Sequence, residues 1–229
     1  RTIRRHKEAL IPYTRRIAGF ATAALDGAQM PKDPTMEPEV SPMGSLSDQG
    51  LLVTAEADLQ TLAFKSEPLK VLARLHTFVS TDEDRGKPRT SNDVNDPLRL
   101  GNLPSHEVLQ QRLSQLVDLI LNSKAPAVLI AAIAHGELAT LRPFSQGSYI
   151  AARASTRLIF AARDVDPDGL VMSEYGAFLL GRPAYVKALT GYISGTQEGV
   201  AAWVSWQGEA IRRGIETAKE LAEMADAKK

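Results

Sequence analysis

The strongest constraint on this chain is a junction. An almost uncharged run of helix formers over 127–141 stops at Arg142-Pro143, and a second helical run begins just past Gly147. Pro143 has no N–H to continue the first helix and pushes Arg142 out of right-handed helical angles. Gly147 can take the left-handed backbone a tight turn needs, and Ser148 reads as the N-cap of a helix over 149–163. A glycine turn feeding a helix N-terminus collects free N–H groups and the positive end of the helix dipole. Arg142 before the turn and Arg153 beyond it add two cations, so Arg142, Gly147, Ser148 and Arg153 form a candidate anion site.

Periodicity assigns the rest. Val108, Leu109, Leu113, Leu116, Val117 and Ile120 follow three-four spacing after Ser105, predicting an amphipathic helix. In 66–77, Ser66 reads as a cap, Pro68 lies in the first turn, and Leu69, Leu72, Ala73 and His76 share one face. A helix is expected over 12–26 with Pro12 at its first position. Two short helices over 174–180 and 184–192 flank Gly181, and a long one covers 196–224. Pro31, Pro34, Pro38 and Pro42 mark an extended linker, and 80–105 has turn-rich composition. Its cluster Asp82, Glu83 and Asp84 lacks metal-ligand spacing and reads as a solvated loop. No alternating run demands a sheet. The fold class is all-α with about seven or eight helices, divided into an N-terminal helix and proline-rich extension over 1–59 and a helical domain over 60–229.

The chain has 27 basic and 27 acidic residues, so no global field points to nucleic acid or an anionic membrane. The basic stretch at residues 1–7 has no interleaved aromatics and reads as a solvated terminus. With no cysteine there is no disulfide or thiol chemistry, in keeping with a cytoplasmic protein. The apolar run 125–134 is too short to span a bilayer, and nothing reads as a signal peptide. The first residue is Arg1, so the natural chain is expected to begin upstream.

Residues 142–153, RPFSQGSYIAAR, resemble the motif His-Pro-Phe-x-(Asp or Glu)-Gly-Asn-Gly-Arg-x-x-Arg of the Fic (Fido) family, whose members typically transfer AMP from ATP to a protein hydroxyl. ARLH at 73–76, the helix carrying His135 and Leu138, and GYISGTQEGVAAW at 191–203 extend the resemblance over roughly 60–215, in an actinobacterial-type branch. It implies a Fic-type helical bundle with a β-hairpin flap within 80–105. Pro143, Phe144, Gly147 and Arg153 match the motif, whereas the catalytic positions do not. The general-base His is Arg142, which stays protonated. The Mg²⁺-holding acid is Gln146, a weak ligand for a hard cation. Ser148, Tyr149 and Ile150 replace the Asn, Gly and first Arg.

The resemblance thus implies a degenerate Fic-fold protein, inactive in AMP transfer and acting as a binding or regulatory module for a protein partner. That module would hold a phosphate-bearing ligand at the loop and need no cofactor or metal. Two alternatives stand beside it: a transferase with altered chemistry using nucleotide and Mg²⁺, and a helical scaffold associating through the surface around Trp203 and Trp206. Ser194, Glu198 and Gly199 match the family's inhibitory-helix pattern, in which the Glu pairs with the second motif Arg; they also suit an ordinary first helical turn. His135 is expected to pack between helices.

Overall fold

A computed structural model of the chain describes residues 2–37, 43–80 and 83–227. Arg1, Pro38, Pro42 and Asp82 lie outside the described residues. The rest form eleven helices: α1 (Thr2–Arg5), α2 (Lys7–Leu25), α3 (Leu46–Leu59), α4 (Thr61–Phe64), α5 (Pro68–His76), α6 (His106–Asn122), α7 (Ala127–Leu141), α8 (Ser148–Ala162), α9 (Ser173–Leu180), α10 (Arg182–Ile193) and α11 (Gln197–Ala227). The all-α architecture matches the sequence reading. No strand occurs among the described residues, so the expected hairpin flap is absent from 83–105, which runs as turns and coil. No helix among them is long and apolar enough to cross a membrane.

The central pair is α7 and α8. Every residue of α8 from Ser148 to Ala161 is buried, because helices pack around its whole circumference. Helix α5 packs on α8 and α6 on α7, and their inner stripes include Leu72, Leu75, Leu109, Leu113 and Leu116. Each such side chain contributes about 1.5–3 kcal/mol on burial. The long α11 buries Trp203, Gln207, Ala210, Ile211, Gly214, Ala218 and Ala222, a helical stripe that covers α9, α10 and α7.

The N-terminal segment supplies an integral wall of this assembly. Leu25, Val53 and Ala57 belong to the same hydrophobic cluster as α7 and α8. Helices α2 and α3 approach through Gly19 and Gly50, where a Cβ on Gly19 would lie 2.9 Å from the Leu51 Cα. Helix α3 starts at a clear signal: the Ser45 hydroxyl accepts from Asp48 N–H at 3.2 Å, and the Asp48 carboxylate accepts from Gly44 N–H at 2.8 Å.

Several local expectations need correction. Pro12 sits inside α2 rather than at its start, since a turn from Lys7 precedes it. The inner face of α5 is Val71, Leu72, Leu75 and His76, with Leu69 exposed at the rim. Ser148 is the first residue of α8, and Gly147 holds the cap position. Trp203 is fully buried, donating its indole N–H to the Ala132 carbonyl at 2.8 Å, and Trp206 stacks on it. Trp203 therefore offers no surface of its own, while Trp206 is partly exposed.

Candidate functional site

The end of α7 is held in an unusual conformation. Arg142 adopts φ 41° and ψ 67°, as Pro143 requires it to leave the right-handed region. A left-handed arginine is disfavoured, so other contacts must hold it. Its guanidinium donates to Asp96 Oδ2 at 2.8 Å and to the Asn102 carbonyl at 2.7 Å. Four residues later the chain turns back through Gly147, at φ 69°. The Ser148 hydroxyl closes the loop, accepting from Phe144 N–H and donating to the Phe144 carbonyl, each at 3.0 Å. Phe144 is stacked on His76 with ring centroids 4.2 Å apart and planes at 12°. His76 in turn accepts from Gly86 N–H at Nδ1, 2.9 Å away.

A strap formed by 83–105 covers this loop. Arg89 N–H donates to the Pro143 carbonyl and Asn95 N–H to the Ser145 carbonyl, both at 2.7 Å. The Arg89 side chain, 2% exposed, donates to the carbonyls of Arg142 at 3.0 Å, Ser91 at 3.1 Å and Pro104 at 2.8 Å, and to Asn92 Oδ1 at 2.9 Å. It satisfies carbonyls that a helix end leaves without partners. Asp96 is the second anchor: besides Arg142 it accepts from the Tyr149 hydroxyl at 2.5 Å. Burial, then the bond to Asp96, pushes the Tyr149 phenol well up from its ordinary range, so it stays a donor. Neither Arg89 nor Asp96 stands out in the sequence, where both belong to a polar, turn-rich stretch.

Arg153 lies on a different side of α8 and is engaged by α2. It pairs with Asp26 at 2.8 Å, and it donates to Thr22 Oγ1 at 2.6 Å and the Thr22 carbonyl at 3.0 Å. Its guanidinium carbon stands 5.8 Å from the Tyr185 ring centroid. The side chain is 1% exposed. Burial raises the Asp26 carboxyl above its usual range, and the Arg153 charge partly offsets this. The same network continues to His135, whose Nε2 lies 2.7 Å from the Tyr185 hydroxyl and whose Nδ1 lies 2.7 Å from Gln207 Nε2. Burial and the Arg153 charge drive His135 well below the ordinary imidazole pKa, so it is neutral. It joins α7, α10 and α11 as a core residue, as the sequence suggested.

Of the four residues singled out at the loop, the fold thus gathers Arg142, Gly147 and Ser148 and commits Arg153 elsewhere. Gly147 faces Val79, against which any Cβ would clash. Gln146 donates to the Ser80 hydroxyl at 3.0 Å. Glu198 is exposed in the first turn of α11, where Thr196 Oγ1 accepts from Gly199 N–H at 3.1 Å. The acidic partner of Arg153 is Asp26. Chemically the loop offers a guanidinium in place of a proton acceptor; Arg142 and Arg153 are held by the carboxylates of Asp96 and Asp26, and Arg89 by backbone carbonyls and the Asn92 amide oxygen. Among the described residues, no three His, Asp or Glu side chains come together in a way that could hold a metal ion.

No protein-family model matches the sequence, and no curated protein matches it either. Solved structures do. A Fic family protein from Desulfovibrio desulfuricans G20 superposes with a TM-score of 0.68 at 13% identity, over 96% of this chain and 71% of that one. A Fic domain containing signaling protein from Bacteroides thetaiotaomicron VPI-5482 superposes with a TM-score of 0.62 at 14% identity, over 96% of this chain and 91% of that one. Identity this low speaks to architecture alone. The helical arrangement around the 142–153 loop is the Fic fold.

Proposed function

We propose that this chain is a Fic-fold protein in which the motif loop has become a structural joint, and that the protein works as a binding module for a protein partner rather than as an AMP transferase. The observation that carries this is the state of Arg153, the one motif cation retained, which is buried against Asp26 and Thr22. A phosphate at the loop would have to recruit that guanidinium. Breaking a buried pair costs about 3–5 kcal/mol, whereas a helix N-terminus returns about 0.3–1 kcal/mol, or up to about 2 when partly buried. The balance runs against an anion, and the docked strap and Val79 add to it. Arg142 cannot act as a base, and Gln146 is a poor ligand for Mg²⁺.

The test is thermal stability of the purified protein with ATP, CTP, GTP, UTP, AMP, phosphate or pyrophosphate, with and without Mg²⁺. A ligand at a hundred times its dissociation constant stabilises by about 2.7 kcal/mol, which moves the melting temperature by roughly 5–10 °C for a chain of this size. The expected result is no shift. A shift with nucleotide and Mg²⁺ that disappears in Arg153→Ala would refute the reading and restore the transferase alternative.

A further inference from the structure

A second concave surface lies away from the motif loop, between the strap and α10. It is a groove of about 560 Å³ whose floor includes Leu98, Pro183 and Val186 and whose rim carries Arg99, Arg182 and Lys187. All three cations are exposed, and among the described residues none of them has an acidic partner within ion-pair distance. Helix α10 contains no acidic residue at all, and Asp96, on the strap beside the groove, is already bound by Arg142 and Tyr149.

The fold fixes the Arg182 side chain and the backbone of Arg99. Arg182 donates across the groove to the Pro97 carbonyl, joining α10 to the strap. Arg99 has φ 55°, a left-handed conformation uncommon for arginine, and its N–H donates to the Asp96 carbonyl at 3.1 Å. The strap anchored on the motif loop by Asp96 therefore also presents Arg99.

We infer that this groove is the docking site for an acidic peptide segment of a protein partner, with an aliphatic side chain seated on the Leu98, Pro183 and Val186 floor and carboxylates paired to Arg99, Arg182 and Lys187. Charge complementarity selects the acid. The floor selects a peptide over a nucleotide or nucleic acid, since no lining residue has an aromatic ring on which a base could stack. The inference rests on the reading of this chain as a binding module and names the face it uses.

The experiment is fluorescence anisotropy of a labelled peptide of Glu and Leu residues with the intact chain, at ionic strengths from about 0.05 to about 0.5 M, which shortens the screening length several-fold. Binding should weaken with salt, fall at least about tenfold in the double variant Arg99→Glu with Lys187→Glu, and persist in Lys124→Glu, an exposed charge reversal outside the groove. All three positions are exposed, so unchanged melting curves verify that the variants fold. Absent binding, salt-insensitive binding, or equal binding by the double variant would overturn the proposal. Displacement of the peptide by ATP or inorganic phosphate would overturn the peptide assignment in favour of a phosphate ligand. A nucleotide shift that depends on Arg153 would instead sink the reading of the loop, so the two failures are told apart.

Discussion

Removing either member of the buried Arg153–Asp26 pair should destabilise the protein, but unequally. Arginine cannot shed its proton, so Asp26→Leu leaves an uncompensated buried cation, a loss of about 3–5 kcal/mol. For a chain of this size that lowers the melting temperature by roughly 10 °C. Arg153→Met leaves a carboxyl that can escape by taking up a proton. Burial already raises the Asp26 pKa, and the variant deletes the main charge holding it down. A carboxyl raised in the folded state binds more protons folded than unfolded, so its contribution to stability improves as pH falls through the folded pKa. Measured against wild type by urea denaturation, the Arg153→Met deficit should therefore shrink from about pH 8 to about pH 5, while that of Asp26→Leu should not shrink, because the raised carboxyl it lacks favours the wild type as pH falls. The double variant should come within about 1 kcal/mol of wild type, because an apolar pair of similar volume replaces a buried ion pair without loss. Equal and pH-independent deficits in the two single variants would refute the assignment of the pair as isolated from solvent.

Other outcomes follow from the loop and strap. Gly147→Ala combines a left-handed backbone with a collision against Val79 and should cost about 2 kcal/mol or more in thermal melts; adding Val79→Ala should recover only the steric part. Arg89→Ala should destabilise by about 3 kcal/mol and Arg89→Lys should rescue little, since an ammonium cannot reproduce the fork that reaches four acceptors. Rescue by lysine would show that charge, rather than geometry, is what the strap needs. Arg142→His with Gln146→Glu, which restores two motif identities, should yield no AMP transfer detectable by mass spectrometry, because Arg153 remains tied to Asp26; transfer by that variant would contradict the structural-joint reading.

The parts legible in the sequence are those governed by local rules. The end of α7 followed from the Arg142-Pro143 step, and α6 from the apolar spacing after Ser105. The left-handed Gly147 was readable because few other residues tolerate that backbone. Helix α3 escaped the periodicity reading because its buried face is Gly50, Val53, Thr54, Glu56 and Ala57, largely small or polar residues that draw no hydrophobic stripe. Its cap, Ser45 with Asp48, was nevertheless written in the sequence.

The site divides the same way. Composition and the 142–153 spacing determined the loop, its cations and the absence of a base at 142 and of an acid at 146, because residue identity alone settles what can accept a proton or hold Mg²⁺. What those cations do was decided by tertiary structure. Arg153 meets Thr22 from 131 positions away, and Arg142 meets Asp96 from 46. Whether an arginine awaits a phosphate or closes a core depends on which carboxylate the fold brings beside it. The physical reason is that ion pairing acts through space over a few ångströms, whereas turns, caps and helix spacing act through neighbours in the chain.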